Sequence, residues 1–271
     1  MNFIQAKLNP MDSTARAALN ENQFETVKNA DLTVLITPYV IIGLVIAIMF
    51  FVIFFSKMPK NGDSSHEIHL KETLKRLWNI KRYREGVLAQ FFYVGAQIMC
   101  WTFVIQYGTR LFMSMGMKEQ AAEVLSQEYN IIAMIIFCCS RFICTFLLKF
   151  FKPGLLLSIL AIAAGFLVMG VMGFKDMKGM YCLVGVSACM SLMFPTIYGI
   201  ALKGMGEDAK FGAAGLIMAI LGGSVLPPVQ AKIIDLGTIG GFPAVNLSFI
   251  LPFICFVVIA IYGFRALKYK V

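Results

Sequence analysis

Charge is scarce in this sequence. Asp, Glu, Lys and Arg make up 14% of its 271 residues, against 59% hydrophobic residues, and the mean hydropathy is +0.76. A soluble domain would carry about 25% charge. Also missing are a glycine-rich phosphate loop, a Gly-x-Ser-x-Gly elbow and a His-Glu-x-x-His pair, so nothing points to enzymatic chemistry. Histidine occurs only as His66 and His69. Their spacing suits a metal, but no third ligand accompanies them, so they read as part of a solvated loop. No cofactor or metal is implied. No connection between apolar runs holds a cysteine. All seven (Cys100, Cys138, Cys139, Cys144, Cys182, Cys189, Cys255) fall inside such runs and read as small packing residues.

What the sequence does have is long apolar runs. Seven are near the roughly 20 residues needed to cross a bilayer: 34–56, 86–113, 130–148, 154–174, 180–202, 211–231 and 244–264. The expected fold is all-α, a polytopic membrane helix bundle. Numbered with the first tail outside, the inner segments hold 15 Lys/Arg and the outer ones 7. That asymmetry predicts an outside N-terminus and a cytoplasmic C-terminus. The net charge of +9 is thereby a topology signal, with no nucleic-acid partner implied.

Four regions follow. Residues 1–33 are polar, show no signal-peptide core, and read as an extracytoplasmic segment with a short amphipathic helix near 15–27. Residues 34–56 form an isolated span, with Pro38 near its outer end. Residues 57–85 form a basic cytoplasmic linker. Its second half predicts a helix on the membrane surface, with Leu74, Leu77, Trp78 and Ile80 towards lipid. Residues 86–271 hold six closely joined spans. One span, a long basic loop and six spans is what a twelve-span transporter leaves when its first five are removed. The chain therefore reads as a fragment not active by itself.

The second span sets two amides and two large aromatics among apolar residues. At 100° per residue Gln90, Gln97 and Trp101 lie within roughly 40° of one another, with Tyr93 alongside. Polar groups at that depth turn to protein or water. Amides that bond hydroxyls, beside rings that stack on sugar C–H faces, read as a sugar-binding wall in preference to the alternative, in which Gln90 and Gln97 bond neighbouring helices. In the fifth span Pro195 and Gly199 predict a mid-membrane break, with Tyr198 in the cavity. Arg141, in the third span, reads as a gating latch or a snorkelling anchor. In the sixth, Gly215, Ala219 and Gly223 form a small-residue stripe for close helix approach. The run from Gly222 through Pro227 and Pro228 to Gln230 reads as a flexible outer break. No Asp or Glu lies deep in any span, so a proton-coupling residue is expected outside this chain.

The segments Leu88–Gln97 with Trp101, Arg141-Phe142, Phe194–Gly206 and Gly222-Gly223 with Pro228 resemble the fucose–galactose–glucose branch of the major facilitator superfamily. Ser140 stands where that branch often has glycine. The likeness spans 30–271 and implies that 86–271 is a C-terminal six-helix transporter half. It further implies alternating access carrying a monosaccharide, L-fucose or a related hexose, with protons across the inner membrane. Partners would be the lipid bilayer and an N-terminal six-helix half that holds the protonatable carboxylates. The other reading is a non-transporting membrane sensor or assembly protein that kept half a transporter fold. A seven-helix retinal protein is excluded, because the last span has no Schiff-base lysine.

Overall fold

The structure is a computed structural model that describes residues 18–56, 70–240 and 242–269. His66 and His69 lie outside the described residues. The chain divides into two units, Met1–Ile68 and His69–Val271.

In the first unit a single helix, α1 (Glu21–Phe55), runs for 35 residues. At 1.5 Å per residue it is about 52 Å long, well beyond a hydrocarbon core of about 30 Å. The short separate helix near 15–27 is thus corrected. Asn20 starts the helix with a capping box, its N–H donating to Gln23 Oε1 at 3.3 Å. Thr26 and Thr33 bond the carbonyls four residues back, and Lys28 pairs with Glu25 at 2.9 Å. These local bonds carry the helix from polar sequence into the apolar run. Pro38 consequently sits mid-helix, not at its outer end.

The second unit opens with α2 (Leu70–Asn79). Its expected lipid face is only partly right. Trp78 is exposed, but Leu77 is buried against Tyr83, Ala201 and Leu216. Arg76 adds an ion pair to Asp208 at 2.9 Å. The helix is thereby stapled to the bundle by its apolar side and one charge.

Six spans follow. They are α3 (Lys81–Ser114), α4 (Glu119–Leu147) and α5 (Pro153–Gly173). Then come α6 (Met177–Met190) with α7 (Met193–Leu202), and α8 (Ala209–Met218) with α9 (Gly222–Ile234). A short α10 (Ala244–Ser248) leads into α11 (Ile250–Ala266). A two-residue antiparallel ladder, β1 (Thr238–Ile239) with β2 (Phe242–Pro243), turns the chain before α10. All seven predicted crossings are thus helices, three of them interrupted.

The helix α3 is the axis of this unit and packs on α4, α6, α7, α9 and α11. Close approach is possible because the contact points lack side chains. A Cβ on Gly222 would lie 2.0 Å from the Phe91 carbonyl oxygen. Residues Gly154 and Gly263 similarly bring the start of α5 against the end of α11. The tightest backbone contact falls on Gly222, one residue before Gly223, the last member of the expected stripe. Gly223 meets only the side chains of Val94 and Ile98, at 3.1 and 3.0 Å. The core around α3 is filled by Met99, Phe103, Met190, Phe249 and Phe256, among others.

Candidate binding wall at a broken helix

The fifth span breaks at Ser191–Leu192, between α6 and α7. Pro195 is the third residue of α7, where its missing N–H falls among donors that have no intrahelical partner anyway. Gly199 lies inside α7, with open space where a side chain would be. The expected break therefore exists, but it precedes the proline and leaves Gly199 helical.

A break in mid-membrane frees carbonyls, and each one left unpaired in lipid costs several kcal/mol. Two neighbouring helices supply partners. From α3, the Tyr93 hydroxyl donates to Met190 O at 3.0 Å. From α4, Ser140 Oγ donates to Ala188 O at 2.9 Å, and Arg141 Nε donates to Ser191 O at 3.2 Å. Ser191 Oγ adds bonds to Ala188 O and Ser140 Oγ, at 2.8 and 3.2 Å. Arg141, expected as a latch or an anchor, is tied by this bond to the helix break. It clamps the interrupted span, and its guanidinium also lies 5.3 Å from the centre of the Phe137 ring.

Beside this clamp stand the aromatics. Trp101 packs edge-on against Phe137 at 5.0 Å and donates its indole N–H to Ser187 Oγ at 3.3 Å. Tyr93 meets Phe194 edge-on at 6.1 Å, and Phe194 stacks on Tyr198 at 6.5 Å. Gln97 lies one turn from both Tyr93 and Trp101 on α3, the side that faces α6. The result is a band of rings, one amide and one guanidinium around the break. Phe137, Ser140, Ser187 and Phe194 belong to it and were missed by the sequence reading. Phe137 at four residues before Arg141 was the available signal.

The expected stripe does not open as one surface. Gln97, Trp101 and Tyr198 are half-buried, whereas Gln90 and Tyr93 are wholly buried. Both amide atoms of Gln90 lack a protein partner. An unpaired buried polar group costs about 1–3 kcal/mol, and an apolar group of the same shape removes that cost. Gln90→Leu is therefore expected to raise the melting temperature, read by thermal unfolding in detergent. A fall in melting temperature would mean that the amide is satisfied by something bound.

The sixth span also departs from expectation. Its irregular part is the tight turn Ala219–Leu221, and α9 runs straight through Pro227 and Pro228. The residue before them in the contact zone, Gly222, sets the geometry instead. Gln230 is buried, with its amide nitrogen bonded to Ser248 Oγ at 3.0 Å, so it holds α9 to α10. At the end of the bundle where α3 begins, Glu85 accepts bonds from Arg265, at 2.8 Å, and from the Tyr269 hydroxyl. Burial and that carboxylate push the Tyr269 hydroxyl up to about 12, so it stays a neutral donor. Among the described residues no cluster of His, Cys, Asp or Glu could hold a metal.

The second unit is thus a bundle of six membrane-length spans, three of them interrupted and one clamped beside a half-open aromatic band. Comparison with solved structures identifies it as the C-terminal part of a major facilitator superfamily fold. A major facilitator superfamily transporter in its outward conformation superposes with a TM-score of 0.74 at 26% identity, covering 100% of this chain and 63% of that one. The Escherichia coli fucose:proton symporter superposes at 0.75 and 28%, covering 100% and 64%. In sequence the chain is similar, over part of their length, to L-fucose-proton symporters. It is 48% identical over 251 residues to the one from Haemophilus influenzae, covering 92% of this chain and 57% of that protein. It is 30% identical over 249 residues to the one from Escherichia coli, covering 90% and 54%. A glucose/galactose transporter of Brucella abortus is 25% identical over 235 residues. The chain spans about half the length of these relatives. No protein-family profile matches it.

Proposed function

We propose that this chain forms one wall of a sugar pathway that carries L-fucose, or a related hexose, together with protons by alternating access. The observation that carries the reading is the half-open band of Gln97, Trp101, Phe137 and Tyr198 around a clamped helix break. Rings of this kind stack on sugar faces, and amides bond hydroxyls. The names of the relatives supply the sugar and the proton. Gln97, Trp101 and Tyr198 contact the sugar, while Gln90 and Tyr93 stand behind them. Arg141 and Pro195 shape the break, and Gly199, Gly223 and Pro228 lie where the helices flex against one another. A second six-helix half, with the proton-binding carboxylate, completes the cavity. The protein sits in the inner membrane with its N-terminus outside and its C-terminus cytoplasmic, as the Lys/Arg bias favours.

Fluorescence tests the assignment. The sequence has two tryptophans, Trp78 and Trp101, so Trp78→Phe leaves Trp101 as the sole reporter. Added L-fucose is expected to shift its emission saturably. Gln97→Ala is expected to weaken the half-saturation concentration by about tenfold, the equivalent of one lost bond worth about 1.4 kcal/mol. An emission that ignores L-fucose, D-glucose and D-galactose alike would remove the sugar assignment.

A further inference from the structure

Between α5 and α11 lies a groove of about 290 Å³ lined entirely by apolar residues. Its floor is Ala161, Gly165 and Ala260, and its rim includes Phe166, Phe253 and Phe264. Gly165 keeps it open, since a Cβ there would meet only the Phe253 ring, at 3.7 Å. Phe166 is 68% exposed and Phe264 48% exposed. Both helices are long and apolar enough to cross a membrane, so this groove faces hydrocarbon rather than water.

Its length selects the occupant. Phe253 and Phe264 are eleven residues apart, about 16 Å of helix. One leaflet of a hydrocarbon core of about 30 Å is about 15 Å deep. The groove thus matches a single acyl chain from one leaflet. Its end is also marked. The approach of Gly154 to Gly263 brings the start of α5 and the end of α11 together, and Lys152 and Lys268 flank that end, both exposed. Lys268 lies two residues past the end of α11, four after Phe264. Basic residues at the end of an apolar groove between spans fit a lipid phosphate. The groove is also separate from the aromatic band. All of its lining residues lie on α5 and α11, and none lies on α3, α4, α6 or α7.

We propose that this groove is a binding site for an anionic phospholipid, one acyl chain lying over Gly165 and the phosphate held by Lys152 and Lys268. The site acts from the leaflet at the α5 N-terminus and locks the α5–α11 pair.

Thermal unfolding of the delipidated chain in detergent tests it, with phosphatidylglycerol or phosphatidylcholine added. Near saturation phosphatidylglycerol is expected to raise the melting temperature by roughly 2–4 °C, and phosphatidylcholine by less. The double variant Lys152→Ala/Lys268→Ala is expected to keep the fold and lose the difference between the two lipids. Gly165→Leu fills the floor and is expected to lose both gains. Ile261→Trp fills the groove from its rim and serves if the glycine variant does not fold. Native mass spectrometry should show one retained lipid per wild-type chain and none in the filled variants. Equal gains from both lipids, or retention unchanged by filling, overturns the site. A lipid-free dimer of the chain would overturn it in favour of a second copy as the occupant.

Discussion

Gly222→Ala is expected to lower the melting temperature more than a methyl group added at Gly223, its neighbour. The new Cβ would sit 2.0 Å from the Phe91 carbonyl oxygen and 2.8 Å from its carbon. Both belong to the backbone of α3, so no rotamer change relieves the overlap. Either α9 or α3 must move as a whole. Overpacking of this sort costs about 1–3 kcal/mol when side chains can adjust, and a rigid backbone contact belongs at or above the top of that range. At Gly223 the methyl meets only the ends of Val94 and Ile98, which can turn aside. Thermal unfolding of the two variants side by side checks the order. Equal losses would mean that α9 and α3 are not in backbone contact.

Arg141→Met should act on stability and ligand binding together. The variant keeps the length and apolar stem of the side chain but removes the donor to Ser191 O and the cation over Phe137. A hydrogen bond from a charged donor is worth about 1.5–3 kcal/mol net, and the ring contact of an exposed guanidinium about 0.5–1 kcal/mol. The predicted loss is about 2–4 kcal/mol. Trp101 leans on Phe137, so its emission should change in the same variant. Arg141→Lys restores the charge but cannot reproduce the planar Nε–H directed at the carbonyl. It is expected to recover the ring contact and not the clamp. A lysine variant as stable as wild type would show that charge alone holds the break.

The spans were legible because lipid imposes one rule on them. Outside the breaks, backbone polar groups are satisfied within their own helix, so length and apolarity suffice to find each crossing. Where a second constraint acted, the reading slipped. Pro195 was taken as the breaking point because proline removes a bond, yet a chain can begin a new helix just before it at no such loss. Likewise α1 starts well ahead of its apolar run, since capping at Asn20 and local threonine bonds extend helix into polar sequence. Leu77 was assigned to lipid from the pattern of α2 alone. Its true partners, Ala201 and Leu216, lie more than a hundred residues on, beyond the reach of any local period. The binding stripe has the same limit. Periodicity put Gln90, Tyr93, Gln97 and Trp101 on one side of α3, correctly, but that side meets different neighbours along its length. Which of the four stay half-open is decided by the other helices.

The central place of α3 has a consequence for how the protein is made. Among the six spans of the second unit it leaves the ribosome first, and it is the least apolar of the seven crossings. Its covering partner α11 emerges last. Throughout the synthesis of roughly 150 intervening residues, Gln90 and Tyr93 have no finished enclosure, and bare amides are poorly tolerated among lipid tails. Nascent chains halted before Ala244 should accordingly linger at the insertion machinery, while those that have released α11 move away into the bilayer.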